Sequence, residues 1–281
     1  MHKTLGSAFK IGTNYNSGFP VLTWEPDADA MKGAGTEADP YRIKSKEDLI
    51  EVSIMETTEG KYFQLDADID LYNVQWKTPI GTPSNVFRGV FDGGGHVIRN
   101  YWYYVPVGDI SAERIGLFGV VGGDAVIKDL GVEQVRATSN ESWGYNAVVG
   151  GMISELKDNA AVESCYVRNI VADTKNVNVG VLGGMVGLVS GAGATVKNCY
   201  CLEFTEIDDC VSTEDGLIGK IDNVLAVENC YSASTFATVK SDIANRVKNC
   251  YTISKQGWAP GGYQRAGESI TASKLKAAVY K

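Results

Sequence analysis

"VKNCY" stands at Val196–Tyr200 and again at Val247–Tyr251, with "VENCY" between them at Val227–Tyr231. A catalytic motif is needed once per chain, whereas a repeat writes its motif once per structural unit. Weaker copies extend the series: "VIRNYWY" at 97–103, "VIKDLGV" at 126–132 and "AVESCYV" at 161–167. The Asn, Asp or Ser falls at 100, 129, 164, 198, 229 and 249, in steps of 29, 35, 34, 31 and 20. A second element precedes four of them: "IGLFG" (115–119), "VGGMI" (149–153), "LGGMVG" (182–187) and "DGLIG" (215–219). From Gly116, Gly151, Gly184 and Gly216 to the Asn-like residue the spacing is 13, 13, 14 and 13. A nearly fixed spacing inside a variable period puts insertions in loops and keeps a core pattern.

Each unit holds short β-branched and aliphatic runs broken by Gly and Asn, with no ten-residue helical pattern between them. That excludes helical repeats and fits an all-β solenoid, a parallel β-helix whose coils stack. Parallel crossovers make it right-handed. In "VIKDLGV" both Ile127 and Leu130 want the core, yet strict alternation would separate them. A one-residue bend at Asp129 brings both inside, and Asn and Asp best tolerate the left-handed conformation it uses. Stacked coils would then carry an asparagine ladder. This phase puts Leu130, Cys165, Cys199, Cys230 and Cys250 inside as small apolar residues. It puts Trp102, Gly131, Tyr166, Tyr200, Tyr231 and Tyr251 outside.

The chain has 281 residues, 44% of them hydrophobic, enough for one elongated domain or two compact ones. Its net charge of −8 argues against nucleic acid or an anionic membrane as main partner. "MHKTLGSAFKIG" lacks the apolar run of a signal peptide. Asn176–Val196 is long and uncharged, but its counterparts carry Arg114, Glu155, Lys157 and Lys220, so it reads as a glycine-rich repeat unit. The six cysteines form no C-x-x-C pair and only His2 and His96 could join them, so zinc is not expected.

Upstream, Ser45 with Asp48 marks a helix start, and Leu49, Ile50, Val52, Ile54 and Met55 give an apolar side, with Gly60 to end it. A helix over about 45–58 would cover the open apolar end of the solenoid. "GTEADPYRIKSKEDLIEVS", "KYFQLDADIDL", "PIG", "FRGVFDGGGHVIRNY", "GLFG", "AVIKDLGV" and the "NCY" copies form an ordered set over about 36–255. In this set the sequence resembles bacterial surface proteins carrying the GLUG motif. The resemblance implies a parallel β-helix in a large secreted or wall-attached protein, with no enzymatic residues tied to the motif. It also makes 1–25 similar to a segment that closes a preceding module. The expected organisation is then 1–25 module-closing segment, 26–40 linker, 41–59 capping strand and helix, 60–255 β-helix, and 256–281 tail with the start of a helix. Neighbouring modules of the same polypeptide are expected partners.

Asp66, Asp68 and Asp70 could hold calcium, yet the Gly and distal Glu of a calcium loop are missing. Their period of two instead puts three carboxylates on one strand face, with Leu65, Ala67, Ile69 and Leu71 inward. "FDGGGHVI" and "GVLGGMVG" imitate phosphate loops without the following G-K-[ST] or helix, so coil turns explain them better. No cofactor is expected. Three functional readings follow. Exposed Trp102, Tyr166, Tyr200, Tyr231 and Tyr251 would give an aromatic ladder that binds a glycan or a cell-surface protein in adhesion. A bare solenoid would be an extracellular spacer. A polysaccharide lyase or glycoside hydrolase would need clustered carboxylates, for which Asp92, Asp208 and Asp209 are the candidates, with His96 the one central imidazole. No spacing unites those three, which favours a non-enzyme.

Overall fold

The computed structural model describes residues 9–11, 20–22, 31–72, 74–76, 78–105, 114–139, 147–173, 179–207, 214–232, 243–252 and 268–269. Apart from a small antiparallel pair, Phe9–Ile11 with Pro20–Leu22, the strands of these residues assemble into four parallel sheets. One coil shows the route. Ala147–Gly150 lies in one sheet, a glycine corner leads to Ile153–Leu156 in a second, and a turn leads to Ala161–Glu163 in a third. A bend at Ser164 then opens Tyr166–Asp173 in the fourth. Every partner strand along these sheets belongs to the coil before or after, which is a parallel β-helix.

The third sheet runs through eight strands, from Tyr41–Ile43 to Val247–Lys248, and shows most plainly why the chain coils. Its strands alternate with period two, so Phe91, Ile127, Val162, Val196 and Val227 point inward and are fully buried. The residue after each of the last five strands is left-handed: Asp129 (φ 51°), Ser164 (54°), Asn198 (54°), Asn229 (55°) and Asn249 (51°). That step returns the next residue, Leu130 or Cys165, Cys199, Cys230 and Cys250, to the interior. Asn229 Nδ2 donates to Asn198 Oδ1 and Asn249 Nδ2 to Asn229 Oδ1, both at 3.1 Å, the expected amide ladder.

The register corrects the first copy of the repeat. Gly131 pairs with Val97, which sets Gly95 (φ 80°), not Asn100, opposite Asp129. Asn100 (φ 58°) belongs to a second bend, shared with Gln134 (56°), Asn169 (57°) and Glu203 (57°). Each lies five residues after the first bend. The second bend puts Val135 and Ile170 back in the core, so a long strand curves round the fourth side without breaking.

The "GG" and "LG" elements form the corner between the first two sheets. A Cβ on Gly184 would lie 2.0 Å from the Gly216 carbonyl oxygen and 2.4 Å from Cys201 Sγ; one on Gly151 would lie 2.1 Å from Gly184 O. Glycine recurs because the next coil's backbone occupies the side-chain position. The stretch 176–196, described from residue 179, holds three of the short strands, and no helix among the described residues is long and apolar enough to cross a membrane.

The capping helix spans Lys46–Ile54. Ser45 Oγ accepts from Asp48 N at 3.2 Å, and the Asp48 carboxylate accepts from Ser45 N and Lys44 N. The helix is shorter than the expected 45–58. It ends at Met55 (φ −59°, ψ 137°) rather than near Gly60, because the chain must turn out to enter the first coil. Leu49 and Val52 cover the coil end, while Ile54, expected on the apolar side, is 52% exposed. At the other end the ladder passes residue 255: Glu268–Ser269, in the expected tail, pairs with Tyr251–Thr252. Residues 1–8, 12–19 and 23–30 and the start of helix expected after 270 lie outside the described residues.

Candidate functional site

The candidate site is the outer face of the fourth sheet, where the parallel register lines up Gly131, Tyr166, Tyr200, Tyr231 and Tyr251. The Tyr166 and Tyr200 rings are stacked at 5.1 Å and 7°, and Tyr200 and Tyr231 at 4.9 Å and 8°. Strands about 4.8 Å apart bring identical rings to stacking distance without adjustment. For Tyr251 the backbone register is described, and its side chain lies outside the described residues. Gly131 is the seat at the N-terminal end, since a Cβ there would meet the Tyr166 ring at 2.6 Å. The Tyr166 ring therefore leans toward the coil before it.

Trp102 does not join the row. It pairs with Arg136 and Gln75, beyond the second bend, and is 41% exposed. The position equivalent to the tyrosines in its coil is Val97. Counting from Asn100 placed Trp102 in the row; the correct reference, Gly95, shifts it by five residues.

The stacking decides what the row can offer. The two rings that flank Tyr200 cover both its faces, so edges and hydroxyls remain for solvent. Tyr166 Oη donates to Glu133 Oε1 at 2.9 Å, and Arg168 Nη2 donates to the same oxygen at 2.9 Å. Burial first, and the Glu133 bond second, push the Tyr166 hydroxyl up to about 12. Burial likewise raises Tyr200.

Beside the first bend runs a row that the sequence also contained. Asp92, Lys128, Glu163, Lys197, Glu228 and Lys248 face one another in successive coils with strictly alternating charge. Lys128 reaches Asp92 at 2.9 Å and Lys197 reaches Glu228 at 3.4 Å. The Asp92 bond, first among the causes, raises the Lys128 ammonium. The signal was the residue before each Asn-like position, which reads Lys, Glu, Lys, Glu, Lys.

Asp66, Asp68 and Asp70 do not share one strand face. Asp66 follows the strand Tyr62–Leu65, Asp68 precedes Ile69–Asp70, and the corner between them leaves Ala67 half-buried. Each carboxylate already has protein partners. Asp66 takes Arg42 and Lys44; Asp68 accepts from Arg99 at 2.6 Å, Val97 N at 3.1 Å and His96 Nδ1 at 3.2 Å; Asp70 accepts from Asn100 and Tyr72 N. The Val97 amide is first in holding Asp68 below its ordinary value, and the Asn100 amide first for Asp70. Among the described residues no group of three or more His, Cys, Asp or Glu side chains is arranged to hold a metal ion. Asp92 belongs to the charge row, and Asp208 and Asp209 lie outside the described residues.

Inside the row of tyrosines runs a row of thiols. Cys165, Cys199, Cys230 and Cys250 are buried and free, as is Cys201 beside them. Burial drives Cys199 and Cys201 well above the ordinary thiol range, and for Cys230 and Cys250 the neighbouring thiol (Cys199 and Cys230 respectively) is the first cause, with burial adding to it.

No known family profile matches the chain. A protein of Evansella cellulosilytica, provisionally named a Gly-rich membrane protein, is 31% identical over 140 residues, 47% of this chain and 15% of that protein. Halomucin of Haloquadratum walsbyi is 28% identical over 172 residues, 58% of this chain and 2% of halomucin. The chain thus spans a small part of both relatives. A crystal structure from Bacteroides ovatus, provisionally named an immunoglobulin A1 protease, aligns with a TM-score of 0.50 at 17% identity, over 90% of this chain and 91% of that one. At that identity the likeness speaks for the fold alone.

Proposed function

We propose that this chain is a non-catalytic repeat module of a large surface or secreted protein of the GLUG-motif kind, acting outside the cell as a stiff spacer. One observation carries the reading: recurrent side chains on the outside of the coil are spent on their counterparts in the next coil. Asparagine amides bond along one line, tyrosine rings stack along another, and charges alternate along a third. These are axial cohesive contacts. A catalytic site instead aims several groups at one point. Relatives named as a membrane protein and as halomucin, both far longer than the part matched, support a module in a long surface chain.

A second reading, adhesion to a glycan or a protein, rests on the half-buried tyrosine row and the exposed Trp102. Rings with covered faces do not stack on sugars, so contact would run through edges and hydroxyls. The test is one preparation assayed three ways: glycan-array binding, release of reducing ends from polysaccharides, and peptide-bond cleavage of immunoglobulin A1. The spacer reading expects none of these. Binding lost on changing Tyr200 and Tyr231 together to Ser would favour adhesion, and catalytic turnover in either assay would replace both readings with an enzyme.

A further inference from the structure

The thiol row has a geometry that the spacer reading does not use. Each sulfur occupies the same seat. It donates to the carbonyl two residues earlier, at 3.2 Å for Cys165, 3.0 Å for Cys199, 3.2 Å for Cys230 and 3.2 Å for Cys250. It also faces a carbonyl of the preceding coil, at 3.7, 3.8, 3.6 and 3.5 Å in the same order. Identical seats on successive strands repeat the sulfurs at the strand spacing, about 4.8 Å. A disulfide needs sulfurs about 2.05 Å apart with their Cβ vectors crossed, and parallel in-register cysteines offer neither. A metal–thiolate bond is about 2.3 Å, as it is to zinc, so a linear sulfur–metal–sulfur bridge spans about 4.6 Å.

We propose that adjacent rungs of this row, Cys165 with Cys199 and Cys230 with Cys250, form linear two-coordinate sites for a soft divalent d10 ion, with Hg2+ as the probe. The chemistry selects the ion in three steps. Sulfur ligands favour soft metals. Among the described residues no three His, Cys, Asp or Glu side chains are arranged to hold one ion, so the row does not offer the four-ligand side-chain shell of a structural zinc site. An apolar core penalises net charge. Two neutral thiols lose two protons to solvent as Hg2+ forms two Hg–S bonds, giving a neutral bridge with no change of oxidation state. A monovalent soft ion on two thiolates would leave a buried negative charge. Four thiols make two neutral bridges, each tying one coil to the next.

The test compares two full-length variants with the same number of thiols. Cys165→Ala with Cys199→Ala leaves Cys230 and Cys250 on adjacent rungs, one of the two proposed sites. Cys199→Ala with Cys230→Ala leaves Cys165 and Cys250 three rungs apart, beyond the reach of one ion. Each is loaded with Hg2+, both folded and during refolding, then challenged with a monothiol and desalted. Cys201 and Cys210 are present in both and cancel. The adjacent-pair variant should withstand at least tenfold more competitor and hold one tightly bound ion more than the separated variant. Equal retention overturns the proposal. Should the separated variant fail to fold, X-ray absorption on the loaded parent chain decides. Two sulfur neighbours at about 2.3 Å sustain the linear bridge, and a shell with a third or lighter donor overturns it.

Discussion

At Asn229 the backbone stands at φ 55° while the side-chain amide donates to Asn198 and its oxygen accepts from Asn249. The two roles separate by substitution. Asn229→Gly keeps the conformation and loses two hydrogen bonds, for about 1–2 kcal/mol. Asn229→Val loses the bonds and adds the left-handed penalty of a β-branched residue, for about 2–4 kcal/mol. Urea unfolding of the two variants should rank them in that order. Gly184→Ala should cost about 3 kcal/mol, at the upper end for overpacking, because its methyl group would meet the backbone of the next coil 2.0 Å away. Gly60→Ala, at φ 67° with nothing near the added carbon, should cost about 1 kcal/mol. The first bend was legible in the sequence because Asn, Asp and Ser are rare choices with a known use there. The second was not: Gln134 and Glu203 are ordinary surface residues, and only the register shows them to be left-handed. That one omission carried Trp102 into the aromatic row.

Among the elements, the capping helix depends on one carboxylate. Asp48→Ala would leave the amides of Lys44 and Ser45 without their acceptor, at about 1–3 kcal/mol, and Ser45→Ala should cost about 1 kcal/mol. Thermal melts of both should show a lowered midpoint. The start of this helix is written locally, in Ser45 and Asp48. Its end is imposed by the coil it must enter, which no neighbouring residue announces. The alternating charge row behaves as a unit too. Lys197→Glu would place Glu163, residue 197 and Glu228 side by side as three acids, destabilising the sheet by about 1 kcal/mol. Added salt should recover part of that loss, because screening weakens exposed repulsion. A variant whose deficit ignores ionic strength would show that the row does not act electrostatically.

On the scale of the whole molecule, the buried thiols and stacked tyrosines shift in one direction. The folded chain holds the protons of Cys199, Cys201, Cys230, Cys250 and Tyr166 more tightly than the unfolded chain does. Unfolding therefore releases protons above the ordinary thiol value of about 8.5, so this stabilisation is complete below it and drains away as pH rises. For Tyr166 the window runs from about 10, its unfolded value, to about 12 in the folded chain. Denaturation midpoints measured from pH 8 to 12 should fall steadily, and a flat profile would contradict the inward thiols. The left-handed positions 95, 129, 164, 198, 229 and 249 enclose 34, 35, 34, 31 and 20 residues per step, yet every step advances the axis by the same inter-strand distance, about 4.8 Å. Reach is therefore quantised in coils and indifferent to mass. Residues added within a coil widen the girth, and only another complete coil lengthens the rod.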